Sequence, residues 1–130
     1  MSQHSRSRSI SIALAATLVV VACAGAPSPG SAPAGVILTL TAADIAYQPA
    51  SFSIAAGLPI LVEFDHRDAG VPHGLSLLAG PNLAQVIVAE EPVVGPVQRQ
   101  YPIEGLVAGH YRFSCVVHPN MVSDLLVGAD

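Results

Sequence analysis

From Val36 onward, apolar and polar positions alternate with a period of two. Val36, Leu38 and Leu40 alternate with Ile37, Thr39 and Thr41. Phe52 and Ile54 alternate with Ser51 and Ser53, and Ile60, Val62 and Phe64 with Leu61, Glu63 and Asp65. His73, Leu75 and Leu77 fall on one face. Tyr111, Phe113 and Cys115 fall on another, with His110, Arg112 and Ser114 opposite. Val122–Val127 makes a last short run with blurred alternation. This is the period of extended strands, whose successive side chains point to opposite faces. Turn signals separate the runs: Gln48-Pro49, Ala56-Gly57, Asp68-Ala69-Gly70, Ala79-Gly80-Pro81-Asn82, Gly95-Pro96 and Ala108-Gly109. No stretch after residue 35 carries a helical stripe. Leu83–Ala89 fits either a strand or a short helix. The pattern predicts roughly seven or eight short strands in about 95 residues, an all-β, Greek-key antiparallel β-sandwich.

The first 35 residues follow a different logic. Arg6 and Arg8 precede an apolar run, Ile10–Ala22, of the length of a secretory signal core. The two arginines are not adjacent, which fits a general export route better than a twin-arginine one. Residues 1–22 are therefore expected to be a signal peptide. The run ends in Val20-Val21-Ala22-Cys23, which resembles a bacterial lipobox and makes Cys23 the candidate lipidation site. Ala22-Cys23-Ala24 and Ala24-Gly25-Ala26 also satisfy an A-x-A cleavage pattern, which would release a soluble protein. Residues 23–35 consist, after the cysteine, of Ala, Gly, Pro and Ser alone, the composition of a flexible tether. Residues 36–130 remain as the folded domain.

Composition sharpens this division. Of the 130 residues, 52% are hydrophobic and 11% charged, and the net charge is −4. There is no lysine, so the clustered basic charge of a nucleic-acid module is missing. The apolar content excludes disorder over the whole chain. A spanning helix needs about 18–20 continuous apolar residues, and Ile10–Ala22 is shorter and holds Ser11 and Thr17. Removing the leader deletes two of five arginines and none of the nine acids, which makes the mature chain more acidic. Cys23 and Cys115 are the two cysteines. If Cys23 is lipidated or cleaved away, Cys115 stands alone in an oxidising compartment, either buried or occupied; a Cys23–Cys115 disulfide is the plainer alternative.

The candidate chemistry lies in Cys115-Val116-Val117-His118-Pro119-Asn120-Met121. A thiolate, an imidazole and a thioether share one short loop, and Cys115 ends a strand on its inward face. His73, behind Asp68-Ala69-Gly70-Val71-Pro72, offers a second imidazole. Two His, one Cys and a weak Met form a soft set suited to copper cycling between Cu(I) and Cu(II). Zinc rarely uses a thioether, and calcium and magnesium want oxygen ligands. Each residue also has a structural alternative: Cys115 and Met121 as core, His118 as surface, His73 as a cap.

The domain resembles a cupredoxin, the type 1 (blue) copper family, over about Val36 to Val127. The Cys-x2-His-x2-Met loop is similar to that of amicyanin, including Pro119 after His118. The resemblance implies His73, Cys115 and His118 as equatorial ligands, Met121 as the axial one, and one copper ion per chain. It implies a one-electron transfer protein, not an enzyme, tethered in the bacterial cell envelope or periplasm. The alternative is a copper-binding or delivery protein that supplies another cuproprotein. The implied partner is a redox protein, such as a c-type cytochrome or an oxidoreductase, of basic charge. Membrane contact is expected through a lipid anchor only, and the chain is expected to be a monomer. His118 would face solvent within an apolar rim of Val71, Pro72, Val116, Pro119 and Val122. Two departures stand out. Cupredoxins usually carry Asn after the first His and Ser or Thr after the Cys, which lace the ligand loops together; here those positions are Gly74 and Val116. The Gly74 or Val117 amide is left to donate to the sulfur. His66 stands where the family often has Asn and is expected to brace the loop or lie at the surface. Asp68 is expected to shape the loop, and His110 to face outward.

Overall fold

The computed structural model describes residues 34–128. The expected leader, Cys23 and nearly all of the tether lie outside the described residues, and among those described no helix is long and apolar enough to cross a membrane. The strands are β1 Val36–Ala43, β2 Ala46–Gln48, β3 Ser51–Ala55, β4 Ile60–His66, β5 Pro72–His73 and β6 Ser76–Ala79. A single 3-10 turn, Pro81–Leu83, leads into β7 Gln85–Ala89, so the ambiguous segment is a strand. β8 Val93–Val94, β9 Val97–Ile103, β10 Gly109–Ser114 and β11 Val122–Gly128 are the remaining strands among the described residues.

Two sheets enclose the core, one in the order β2-β1-β4-β9 and the other β3-β11-β10-β6-β7. The all-β sandwich is thus as the alternation predicts. Its sheets are mixed rather than purely antiparallel. β1 pairs with β4 in parallel, and so does β3 with β11. In the first case the chain leaves for the opposite sheet after β2 and returns as β4, entering from the same end as β1. Side-chain alternation fixes which face is buried, not which way a neighbouring strand runs.

The register makes the core. Leu38 sits beside Val62 and Leu40 beside Phe64, while Phe113 lies between Leu77 and Ser123. These inward residues are buried, as are Tyr47, Leu75, Ile103, Tyr111 and Leu125. Each fully buried large apolar side chain contributes about 1.5–3 kcal/mol. The alternation of β11 blurs because Ser123 takes an inward place and Leu126 an outward one.

β5 and β8 form a separate two-stranded ladder, pairing Pro72 with Val94 and His73 with Val93. This ladder belongs to the loops that carry the candidate chemistry.

Candidate metal centre

Cys115 follows directly on β10 and keeps the inward phase of Tyr111 and Phe113, so its side chain is buried. The loop beyond it closes on itself. The Met121 amide donates to the His118 carbonyl (2.9 Å), and the Cys115 amide donates to the Met121 carbonyl (3.1 Å). Met121 is buried and His118 is half-buried. His73, wholly buried, comes from the neighbouring loop. That loop is stitched to the 93–95 segment: Gly70 donates to the Gly95 carbonyl (3.0 Å) and Gly95 to the Val71 carbonyl (3.2 Å).

Among the described residues, His73, Cys115 and His118 form one group of potential metal ligands. His73 Nδ1 and His118 Nδ1 are 3.1 Å apart, and each lies 3.9 Å from Cys115 Sγ. The circle through a triangle of sides 3.1, 3.9 and 3.9 Å has its centre about 2.1 Å from all three atoms. First-row metals bind imidazole nitrogen at about 2.0–2.1 Å and thiolate sulfur at about 2.3 Å. The three donors therefore fit one ion, and their softness fits copper.

The surroundings hold these donors in place. The Gly74 amide donates to Cys115 Sγ (3.4 Å), while the Val117 amide makes no such bond. The buried Tyr47 hydroxyl donates to the Gly74 carbonyl. Burial, and then the nearby Cys115 sulfur, pushes the Tyr47 phenol above its ordinary range. His73 Nε2 lies 2.8 Å from a carboxylate oxygen of Asp68. That carboxylate also accepts from the Asp44 amide (2.7 Å) and the Ile45 amide (3.0 Å). The hydrogen bond to His73, followed by the one from Ile45, lowers the Asp68 carboxyl to about 2. Asp68 thus shapes the loop, as expected, and also touches the ring of a candidate ligand.

No protein-family model matches the chain, and no curated protein matches it. Solved structures do. Auracyanin A, a "blue" copper protein of the green thermophilic photosynthetic bacterium Chloroflexus aurantiacus, superposes with a TM-score of 0.65 at 15% identity, over 73% of this chain and 100% of that one. Auracyanin of Roseiflexus castenholzii gives 0.61 at 16%, over 73% and 98%. An amicyanin variant in its Cu(I) form gives 0.53 at 18%, over 70% and 81%. The fold is that of the cupredoxins.

Against the usual cupredoxin loops, the departures acquire a shape. At Gly74 a Cβ would meet the Val116 Cγ2 methyl at 3.1 Å, the Glu90 carbonyl at 3.3 Å and Pro92 Cγ at 3.4 Å. Packing has replaced the side-chain bridge, and the space for an Asn at position 74 is taken. His66 is the brace rather than a surface group. It is buried, its Nε2 lies 2.8 Å from the Val71 carbonyl, and its ring lies 4.5 Å from that of His73. Its Nδ1 has no hydrogen-bond partner and faces Gly95, where a Cβ would come within 2.6 Å. His110 is exposed and pairs with Asp124 (3.0 Å), away from the centre. Of the residues expected to form an apolar rim, Pro72, Val116 and Pro119 are exposed, and Val71 and Val122 are half-buried. Val94 and Val117 are exposed too, and the sequence pattern offered neither as part of that rim. It also passed over Tyr47, for which the only signal was a tyrosine at an inward strand position, a place where the hydroxyl needs a partner.

Proposed function

We propose that the protein is an exported one-electron carrier. Its copper ion is held by His73 Nδ1, Cys115 Sγ and His118 Nδ1, with the Met121 thioether as a weak fourth ligand. The observation that carries this reading is that two imidazole nitrogens and a thiol sulfur stand at metal-bonding distance, about 2.1 Å, from one point. Copper there would supply the one-electron Cu(I)/Cu(II) couple. The protein's part is to keep the donors still. Cys115 is anchored by β10 and the Met121 carbonyl, and His73 by Asp68 and the ring of His66. His118, half-buried among exposed Val116 and Pro119, is the route outward.

The acidic mature chain favours a basic redox partner, with association slowed by salt. The leader and Cys23 favour a lipid anchor in the bacterial envelope. The burial of His73, Cys115 and Met121 favours retention of the metal over its delivery.

Two measurements on copper-loaded protein test the proposal. A reversible one-electron voltammetric wave, with copper kept in the presence of an apo-acceptor, supports the carrier. Rapid loss of copper to the acceptor without a reversible wave contradicts it and favours delivery.

A further inference from the structure

A carboxylate stands directly behind the buried histidine of the centre. Asp68 Oδ2 lies 2.8 Å from His73 Nε2, and the same carboxylate takes the amides of Asp44 and Ile45. Those two amides belong to the turn between β1 and β2, whose residues have φ of 53° and 55°. A β-branched residue such as Ile45 seldom adopts the left-handed region. The turn nevertheless takes that form and aims both N–H groups at one carboxylate. Three donors from two separate loops thus converge on Asp68. Its charge is fixed one hydrogen bond from the ring, and its position does not depend on the ring alone.

We propose that Asp68 is the positioning residue that sets the tautomer and basicity of His73, and through it the redox preference of the centre. This rests on the copper reading above. An ionised carboxylate only accepts, so a neutral His73 ring bonded to it carries its proton on Nε2. That leaves the Nδ1 lone pair facing Cys115 Sγ and His118 Nδ1. A carboxylate bonded to the far nitrogen of a ligating imidazole makes it a stronger donor. The anion also favours the more highly charged Cu(II) over Cu(I). Removing it therefore weakens Cu(II) binding more than Cu(I) binding and raises the potential.

The test compares the wild type with Asp68→Asn and with Asp124→Asn. The second makes the same charge change at a carboxylate held by His110 and Arg112 on the outer sheet face. In the metal-free wild type, imidazole 15N spectra should place the His73 proton on Nε2. In Asp68→Asn, Cu(II) affinity should fall 10–100-fold. Its potential should rise by 59 mV for every tenfold by which Cu(II) affinity falls beyond Cu(I) affinity, and by more than twice the shift seen in Asp124→Asn. A neutral His73 ring with its proton on Nδ1 overturns the proposal, and so does an Asp68→Asn potential that moves no more than that of Asp124→Asn. If the wild type shows no copper site at all, the copper reading fails, and the tautomer measurement still decides the role of Asp68. That measurement needs no variant, so a poorly folding Asp68→Asn does not block it.

Discussion

Replacing Gly95 by Ala perturbs the centre from a residue that carries no side chain. Gly95 does not have a left-handed φ, so the effect is one of space alone. The added Cβ would lie 2.6 Å from the Asp68 carbonyl oxygen and 2.6 Å from both Cε1 and Nδ1 of His66. Ordinary contact begins at 3.4 Å, so these atoms must part by about 0.8 Å. His66 cannot swing away, because its Nε2 is bonded to the Val71 carbonyl and its ring is wedged between Phe64 and His73. Overpacking of this kind costs about 1–3 kcal/mol. Taking about 2 kcal/mol, the melting temperature of a domain this size drops by about 8–16 °C. In a His66→Ala background two of the three close contacts vanish and the backbone one remains. Gly95→Ala should then cost about half as much, a coupling of about 1 kcal/mol, beyond the 0.3–0.5 kcal/mol scatter of independent sites. Urea unfolding of the four metal-free proteins measures the cycle. Additivity within about 0.5 kcal/mol would refute the argument that His66 is clamped between Gly95 and His73.

Three further outcomes follow from the same contacts. Tyr47→Phe removes the donor to the buried Gly74 carbonyl and should cost about 1–3 kcal/mol in denaturant unfolding, the penalty of an unsatisfied buried acceptor. Gly74→Ala should destabilise less than Gly95→Ala, because its tightest neighbour is a methyl of the exposed Val116 side chain, and Val116→Ala should recover most of the loss. Asp124 is held below its ordinary 3.8 by Arg112 and then His110. Its contribution to stability is complete above the unfolded value and is lost as pH falls from about 4 through the lower folded value. Asp124→Asn should therefore flatten that part of the acid-unfolding curve, by less than about 1 kcal/mol for so exposed a pair.

The alternation of Tyr111, Phe113 and Cys115 was enough to turn the sulfur inward, and the seven-residue loop was enough to bring His118 near it. His73 was legible from the Asp-x3-Pro-His segment and resemblance, not from periodicity. Pairing direction was not legible, since a buried face looks the same beside a parallel or an antiparallel neighbour; hence β1–β4 and β3–β11. Nor were β2, β5 and β8, whose two or three residues are too short to show a period. The Asp68 carboxylate and the His66 ring depend on contacts across the β1–β2 turn and the 93–95 loop. Local pattern places such residues in loops without saying what they touch.

His73, Cys115 and His118 together form a site for one copper ion. Titrating the metal-free protein with Cu(II) and following the visible spectrum tests it most directly. Copper held by these ligands should give an intense blue thiolate-to-copper band that saturates at one equivalent, vanishes in Cys115→Ser and survives in His110→Ala. A titration that yields only the weak absorption of copper bound by nitrogen and oxygen, or a band that persists in Cys115→Ser, would contradict it.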